Sequence, residues 1–239
     1  MFDHVTIRVS DRDASLRFYT AVLDVLGFAN SGGDVLPEWE DFSLTAAEDP
    51  SRVTLGLHIG FAAHSRPEVD VFWRAGIAVG GPDDGAPGPR PQYRDDYYGA
   101  FLLDPDGNSA EAVQFDGVHR GVDHIWVRVA DVERSARFYE TIAPFAGLRE
   151  EEREGRAQFA GPEAGSFSVL QGDHVTKSLH MAFAVPDDRT IDEFHEAALA
   201  AGYRDNGTPG ERSVYHPGYY SAYVLDPDGN NVELVNHNR

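Results

Sequence analysis

Cysteine is absent from the 239-residue chain. That removes disulfides, thiolate metal sites and a Cys nucleophile together. Positive charge is scarce: 20 Lys+Arg, with Lys177 the one lysine, stand against 40 Asp+Glu, for a formal charge of −20. Gripping a phosphate backbone or an anionic lipid surface needs concentrated basic residues, so neither nucleic acid nor membrane is expected as a partner. No apolar run approaches the ~18 residues of a membrane span. The chain opens on MFDHVTIRV without a charged-then-apolar leader, so a cytoplasmic protein is expected. Phosphate-cradling glycine loops, Gly-x-Ser-x-Gly and aromatic–basic stripes are also missing. What the chain does have is core material, 41% hydrophobic against 25% charged residues, ordinary for a globular protein.

It also repeats itself. DHVTIRV at 3–9 returns as DHIWVRV at 123–129, SLRFYTAVLDVLGF at 15–28 as SARFYETIAPFAGL at 135–148, and YYGAFLLDPDGNSAEAV at 97–113 as YYSAYVLDPDGNNVELV at 219–235. An offset of 120–122 residues is far longer than a solenoid unit. Two copies of one domain are expected, 1–117 and 122–239, joined near Asp116–Gly121. Each copy predicts an α+β plan with largely antiparallel sheet. Val5, Ile7 and Val9 alternate with His4, Thr6 and Arg8 on an opening strand. A helix follows near 12–26 (132–146 in the second copy), capped by Ser10 or Asp11, with Leu16, Tyr19, Val22, Leu23 and Leu26 as its apolar stripe. Gly27 and Gly147 fall where C-terminal caps belong. Short strands are expected around 41–46 and 167–171. A second strand, LHMAFAV at 179–185, leads into the helix-like RTIDEFHEAALAAG at 189–202. A hairpin turning on Asp-Pro-Asp-Gly-Asn, at 104–108 and 226–230, ends each copy. Gly80-Gly81-Pro82 and the Gly/Pro stretch at 85–91 read as loops.

Histidine is unusual at a strand start, yet it recurs at four matched places: His4, His58, His124 and His180. Each copy adds a carboxylate among apolar neighbours in its last strand, Glu111 or Glu233. The intervals are 54 and 53 residues in the first copy and 56 and 53 in the second. Pleat alternation turns these residues away from the helix-packing face. A solvated sheet face explains one such histidine, but two complete His/His/Glu sets at matched intervals point elsewhere. Two neutral imidazoles and a carboxylate make a three-ligand set for a divalent metal and leave positions open for substrate or oxygen. Iron(II), manganese, nickel and zinc all accept such N/O ligation.

With these motifs the chain resembles the vicinal oxygen chelate superfamily (glyoxalases, bleomycin resistance proteins, extradiol dioxygenases) over nearly its whole length. The resemblance implies four βαβββ units, paired into two domains with cupped mixed sheets around a metal. It also implies that the strand-start histidines and the last-strand glutamate are the ligands: His4, His58 and Glu111 in the first copy, and His124, His180 and Glu233 in the second. These are expected to converge copy by copy.

The copies differ beyond the ligands. VYHPGYYSAYVLDPDGNNVE at 214–233 resembles the extradiol dioxygenase signature at His216, Tyr223, Asp226, Pro227, Gly229 and Glu233, with Ala222 departing from it. The resemblance implies that His216 and Tyr223 lie beside the metal as catalytic residues. The first copy has Arg94 and Phe101 instead, so the second is expected to be the working site. An extradiol-type dioxygenase acting on a small substrate with adjacent oxygens, with iron(II) as the first choice of metal, is the leading expectation. A glyoxalase-like lyase or isomerase is its rival. A non-catalytic protein that sequesters a cationic drug is a third reading. Glyoxalases usually add a second carboxylate; Glu48 is the candidate in the first copy, with only Gln171 and Asp173 in the second. His174 is a further candidate proton carrier. A homodimer is allowed.

Overall fold

Alternation shapes the two long opening strands. In a computed structural model that describes residues 1–33, 36–117, 119–162 and 164–239, Val5, Ile7 and Val9 are fully buried while His4, Thr6 and Arg8 face the other way. The elements in chain order are β1 (His4–Val9), α1 (Arg12–Asp24), β2 (Glu38–Trp39), β3 (Phe42–Ala46), β4 (Leu57–Ala63), α2 (Arg66–Ala78), β5 (Asp83–Pro89), β6 (Tyr98–Leu103) and β7 (Ser109–Gln114). Then follow β8 (Val122–Val129), α3 (Val132–Ile142), β9 (Arg149–Arg153), β10 (Arg156–Ala160), β11 (Ser166–Gln171), β12 (His180–Ala184), α4 (Asp188–Ala200), β13 (Arg204–Glu211), β14 (Tyr220–Leu225) and β15 (Asn231–Asn236). The expected duplicated α+β plan is borne out, in two mixed sheets of seven and eight strands.

Helix starts follow local chemistry. Asp11 caps α1 by accepting from the Ala14 N–H, and Asp131 caps α3 through the Arg134 N–H, each satisfying a donor that the first turn leaves unpaired. Gly27 and Gly147 take the left-handed conformation at the far ends. The buried face of α1 is Phe18, Tyr19, Val22 and Leu23, with Leu16 only half-buried. The Gly/Pro stretch is not a loop: Asp83–Pro89 forms β5, antiparallel to β6 with two register shifts. It is the outermost strand of its sheet, where missing N–H groups and bulges are tolerated. Of the tryptophans, Trp39 is fully buried core.

Two compact units divide the chain, and their borders fall inside β1 and β8. The first unit is Thr6–Trp126; the second is Met1–Val5 together with Val127–Arg239. The two units use one device to bring their functional strands together, a parallel pair: β4 with β7, and β12 with β15. The Asp-Pro-Asp-Gly-Asn turn locks that pair. In the second unit Asp226 is buried and accepts from the Asp228 and Asn230 N–H groups, the Tyr139 hydroxyl and the Asn230 amide. Asn230 also accepts from the Leu179 N–H and donates to the Thr176 carbonyl. Burial pushes the Asp226 carboxyl above its ordinary pKa, and its hydrogen bonds oppose that rise. Removing one partner from such a network leaves the others buried and unpaired, at about 1–3 kcal/mol per group. Asn230→Ala should therefore cost on the order of 2–4 kcal/mol, read as a lowered urea midpoint; an unchanged midpoint would show that the turn does not lock the pair.

Candidate metal centres

In the first unit Gly60 on β4 lies opposite Glu111 on β7. His58, two residues earlier, shares the face because side chains alternate with a period of two. β8 joins the other edge of β4, where the Ala62 N–H donates to the Gly121 carbonyl at 3.0 Å, and it carries His124. A methyl on Gly60 would come within 2.5 Å of the His124 ring, so the ring occupies space that a side chain there would claim; the second unit has Ala182 at this place. His58 Nε2 lies 3.0 Å from Glu111 Oε2 and 3.2 Å from His124 Nε2, and His124 Nε2 lies 3.3 Å from the same carboxylate oxygen.

The second unit repeats the arrangement. Ala182 on β12 lies opposite Glu233 on β15, and β1 joins through the Asp3 N–H to the Ala182 carbonyl at 2.8 Å. His180 Nε2 is 3.0 Å from Glu233 Oε2 and 2.9 Å from His4 Nε2, and His4 Nε2 is 3.6 Å from Glu233 Oε2.

All six expected ligand residues thus fall into two sets, but the sets cross the copies. His4 meets His180 and Glu233, while His124 meets His58 and Glu111. The expected groupings His4/His58/Glu111 and His124/His180/Glu233 are corrected, because the opening strand of each copy pairs with the later strands of the other copy.

The donor chemistry of each set fits a divalent cation. In the first unit the outer nitrogens are engaged: His124 Nδ1 with Asp123 at 2.8 Å, and His58 Nδ1 with Ser109 Oγ at 3.1 Å, whose hydroxyl donates to Asp84. In the second unit Asp3 holds His4 Nδ1 at 2.8 Å, whereas His180 Nδ1 accepts from the Asn231 amide nitrogen at 2.7 Å. A neutral imidazole protonated at Nδ1 presents a lone pair at Nε2. In the first unit two such lone pairs and a carboxylate face one another and call for a positive charge between them; in the second, His4 presents a lone pair while His180, its Nδ1 accepting, points an Nε2–H inward. Burial works against ionisation of Glu111, but hydrogen bonds from His124 and His58 outweigh it and hold the carboxyl at about 2. Burial also opposes protonation of His124, yet Asp123 and Glu111 together raise it to about 10. Without a metal, a proton supplies the missing charge.

Sequence reasoning missed one residue that bonds the carboxylate of each set. Tyr97 donates to Glu111 Oε1 at 2.6 Å, and Tyr219 to Glu233 Oε1 at 2.8 Å. The paired tyrosines of both hairpins were the available signal. Burial and the adjacent glutamate raise both phenols above their ordinary range, so they are fixed donors. Tyr223 lies across from Glu233, its ring 6.3 Å from that of His180 and its hydroxyl bonded to Ser221. His216 does not touch the set; its ring nitrogens meet the Pro217 carbonyl and His237. Glu48, Gln171, Asp173 and His174 are exposed, and no second carboxylate joins either set among the described residues.

The surroundings differ. Trp126 stacks 4.7 Å from the His58 ring, with Tyr93 5.6 Å beyond it and Phe101 5.9 Å from His58. The sequence has Thr6 where Trp126 stands in the other copy, and the His4 side chain stays 21% exposed, against 4% for His58.

The profile of the Glyoxalase/Bleomycin resistance protein/Dioxygenase superfamily matches residues 1–112 and 121–234. The chain belongs to this superfamily. Among curated relatives, lactoylglutathione lyase GLX1 of Arabidopsis thaliana is 29% identical over 164 residues, 64% of this chain and 57% of that protein. The chain thus spans under two thirds of the length of the curated relatives it matches. Among solved structures, glyoxalase I from Zea mays superposes with a TM-score of 0.69 at 22% identity, covering 99% of this chain and 92% of that one, a likeness of fold.

For this superfamily member the first-unit set gives a direct test. At pH 7 a metal must displace the proton that His124 holds with a pKa of about 10. Metal uptake should therefore release about one proton at that site, and affinity should rise with pH up to about 10. Calorimetry in two buffers of different ionisation enthalpy reads the release; equal heats in both buffers would contradict it.

Proposed function

We propose that the chain is a metal-dependent enzyme acting on a small substrate with two adjacent oxygens, as a glyoxalase-like lyase or isomerase, and that the second unit holds the working site. The observation that carries the reading is the His4/His180/Glu233 set. It has metal-ligand chemistry, a partly open face and polar neighbours. Kinship with lactoylglutathione lyase supports the reaction class. A divalent cation held there would supply Lewis acidity to the two substrate oxygens. His4, His180 and Glu233 fix its position, and Tyr219 orients the Glu233 carboxylate through Oε1. Tyr223, its phenol raised above the ordinary range by burial and the Glu233 charge, keeps its proton and donates a hydrogen bond to a substrate oxygen. The first unit, with Trp126 over His58 and with Phe101 and Arg94 at the matching places, holds its metal for structure.

Oxygen-dependent ring cleavage, with iron(II), is the second reading. It is favoured by the single carboxylate in each set, since glyoxalases usually add another and Glu48 is exposed. Assays with and without O2 separate the two. Interconversion of lactoylglutathione with glutathione and its oxoaldehyde, undiminished without oxygen, is expected; a strict need for O2 with a catechol substrate would replace the lyase reading by the dioxygenase one. Elemental analysis of protein purified without added metal identifies the ion among iron, manganese, nickel and zinc.

Variants test the division between the units. His180→Ala should lose about one metal equivalent and lower turnover at least ~100-fold. Tyr223→Phe should keep both metals and lower turnover roughly 10-fold or more. His58→Ala should lose one equivalent and keep turnover within about threefold. If His58→Ala abolished activity with the fold and the second-unit metal intact, the assignment of the working site would be wrong.

A further inference from the structure

Behind His4 the second unit carries a hydrogen-bonded array with no counterpart in the first among the described residues. Asp3 uses one carboxylate oxygen for His4 Nδ1, at 2.8 Å, and the other for His237 Nε2, also at 2.8 Å. His216 Nδ1 donates to the Pro217 carbonyl at 2.8 Å, so its Nε2 is left to accept, and the 2.9 Å contact with His237 Nδ1 is a hydrogen bond when that nitrogen also carries a proton. The two rings stack at 5.2 Å with an interplanar angle of 19°, and the Tyr219 ring stands edge-on to both at 5.3 Å. Asp3 is thus gripped from both sides, its side chain only 16% exposed. The matching positions in the other copy are Arg94 and Phe115. Arg94 pairs with Asp96 at the surface, and the Phe115 side chain has no hydrogen-bonding atom. Asp123 makes the same bond to His124, but a phenylalanine replaces its second imidazole.

We infer that His237, itself set by His216, is a positioning residue for the second-unit metal site: it donates to Asp3 and so fixes the orientation and tautomer of His4. The inference rests on the metal-binding reading of that site. A carboxylate that holds a ligand histidine raises its basicity and fixes its ring, and loss of such outer partners typically costs 10–100-fold in metal affinity. His237 acts one bond further out, by denying Asp3 any rotation. This also gives His216 a role at a distance in place of direct contact with substrate. It leaves the two sites unequal in pre-organisation although their three ligands are the same.

The test titrates metal-depleted full-length protein with Zn2+, the first-unit site serving as internal control. His237→Phe installs the residue that the other copy has. It should weaken the second-unit site about 10-fold and leave the first-unit site unchanged. His237→Gln, whose amide can still donate to Asp3, should recover affinity to within about threefold. In the metal-free proteins, ring 15N shifts of His4 should show the Nδ1–H tautomer dominant in the parent and the Gln variant, and mixed in the Phe variant. Parent-like affinity and tautomer in the Phe variant would overturn the inference. So would equal weakening of both sites, or a Gln variant as weak as the Phe variant. If the parent's second unit bound no Zn2+ at all, the metal reading would fail, while the tautomer comparison would still decide whether His237 sets His4.

Discussion

Two imidazole nitrogens and a carboxylate oxygen stay within 3.6 Å of one another only if each group is held from behind, because bare electron pairs repel and buried charge is costly. Much of the structure serves that requirement. The parallel pairs β4–β7 and β12–β15 put a histidine and a glutamate on one face. The buried Asp–Asn turns keep those pairs in register. Aspartates next to His4 and His124 hold the outer ring nitrogens, and Tyr97 and Tyr219 hold the outer carboxylate oxygens. Each of these contacts restrains a ligand that would otherwise turn away from its neighbours.

The same donor set in two surroundings yields two sites of different character. Around His58 the neighbours are Trp126, Phe101 and Tyr93, with Tyr97 on Glu111. Around Glu233 they are Tyr219 and Tyr223, with the His237–His216 pair behind Asp3. Fold and ligands are common to both copies, so what separates them lies in residues one layer out.

Much of this was legible in the residues. Duplication, the strand–helix order and the six His and Glu positions of the two sets follow from repeated motifs and pleat alternation, because both are local properties of the chain. Strand partnership is not local. DHVTIRV and DHIWVRV are interchangeable as edge partners of LHIGFAA and LHMAFAV, so matched intervals alone could not say which opening strand completes which set. Tyr219 lay hidden for a similar reason: the second of two adjacent tyrosines, Tyr220, faces α4 and bonds Asp192, and nothing in the letters YY says which hydroxyl points to Glu233. The edge strand β5 was read as loop because its Gly and Pro content outweighs a pairing that only β6 supplies.

Exchange of the opening strands also sets an order of assembly. All three ligands of the first unit have left the ribosome once His124 emerges, and domains generally fold as they are made. The second unit cannot close its set in that way. His4 is synthesised before the first-unit set, but its partner Glu233 and the supporting His237 come only after the whole of that set. The first-unit set is therefore complete once residue 124 is made, and the second only after residue 233, with a strand that has waited through the synthesis of everything between.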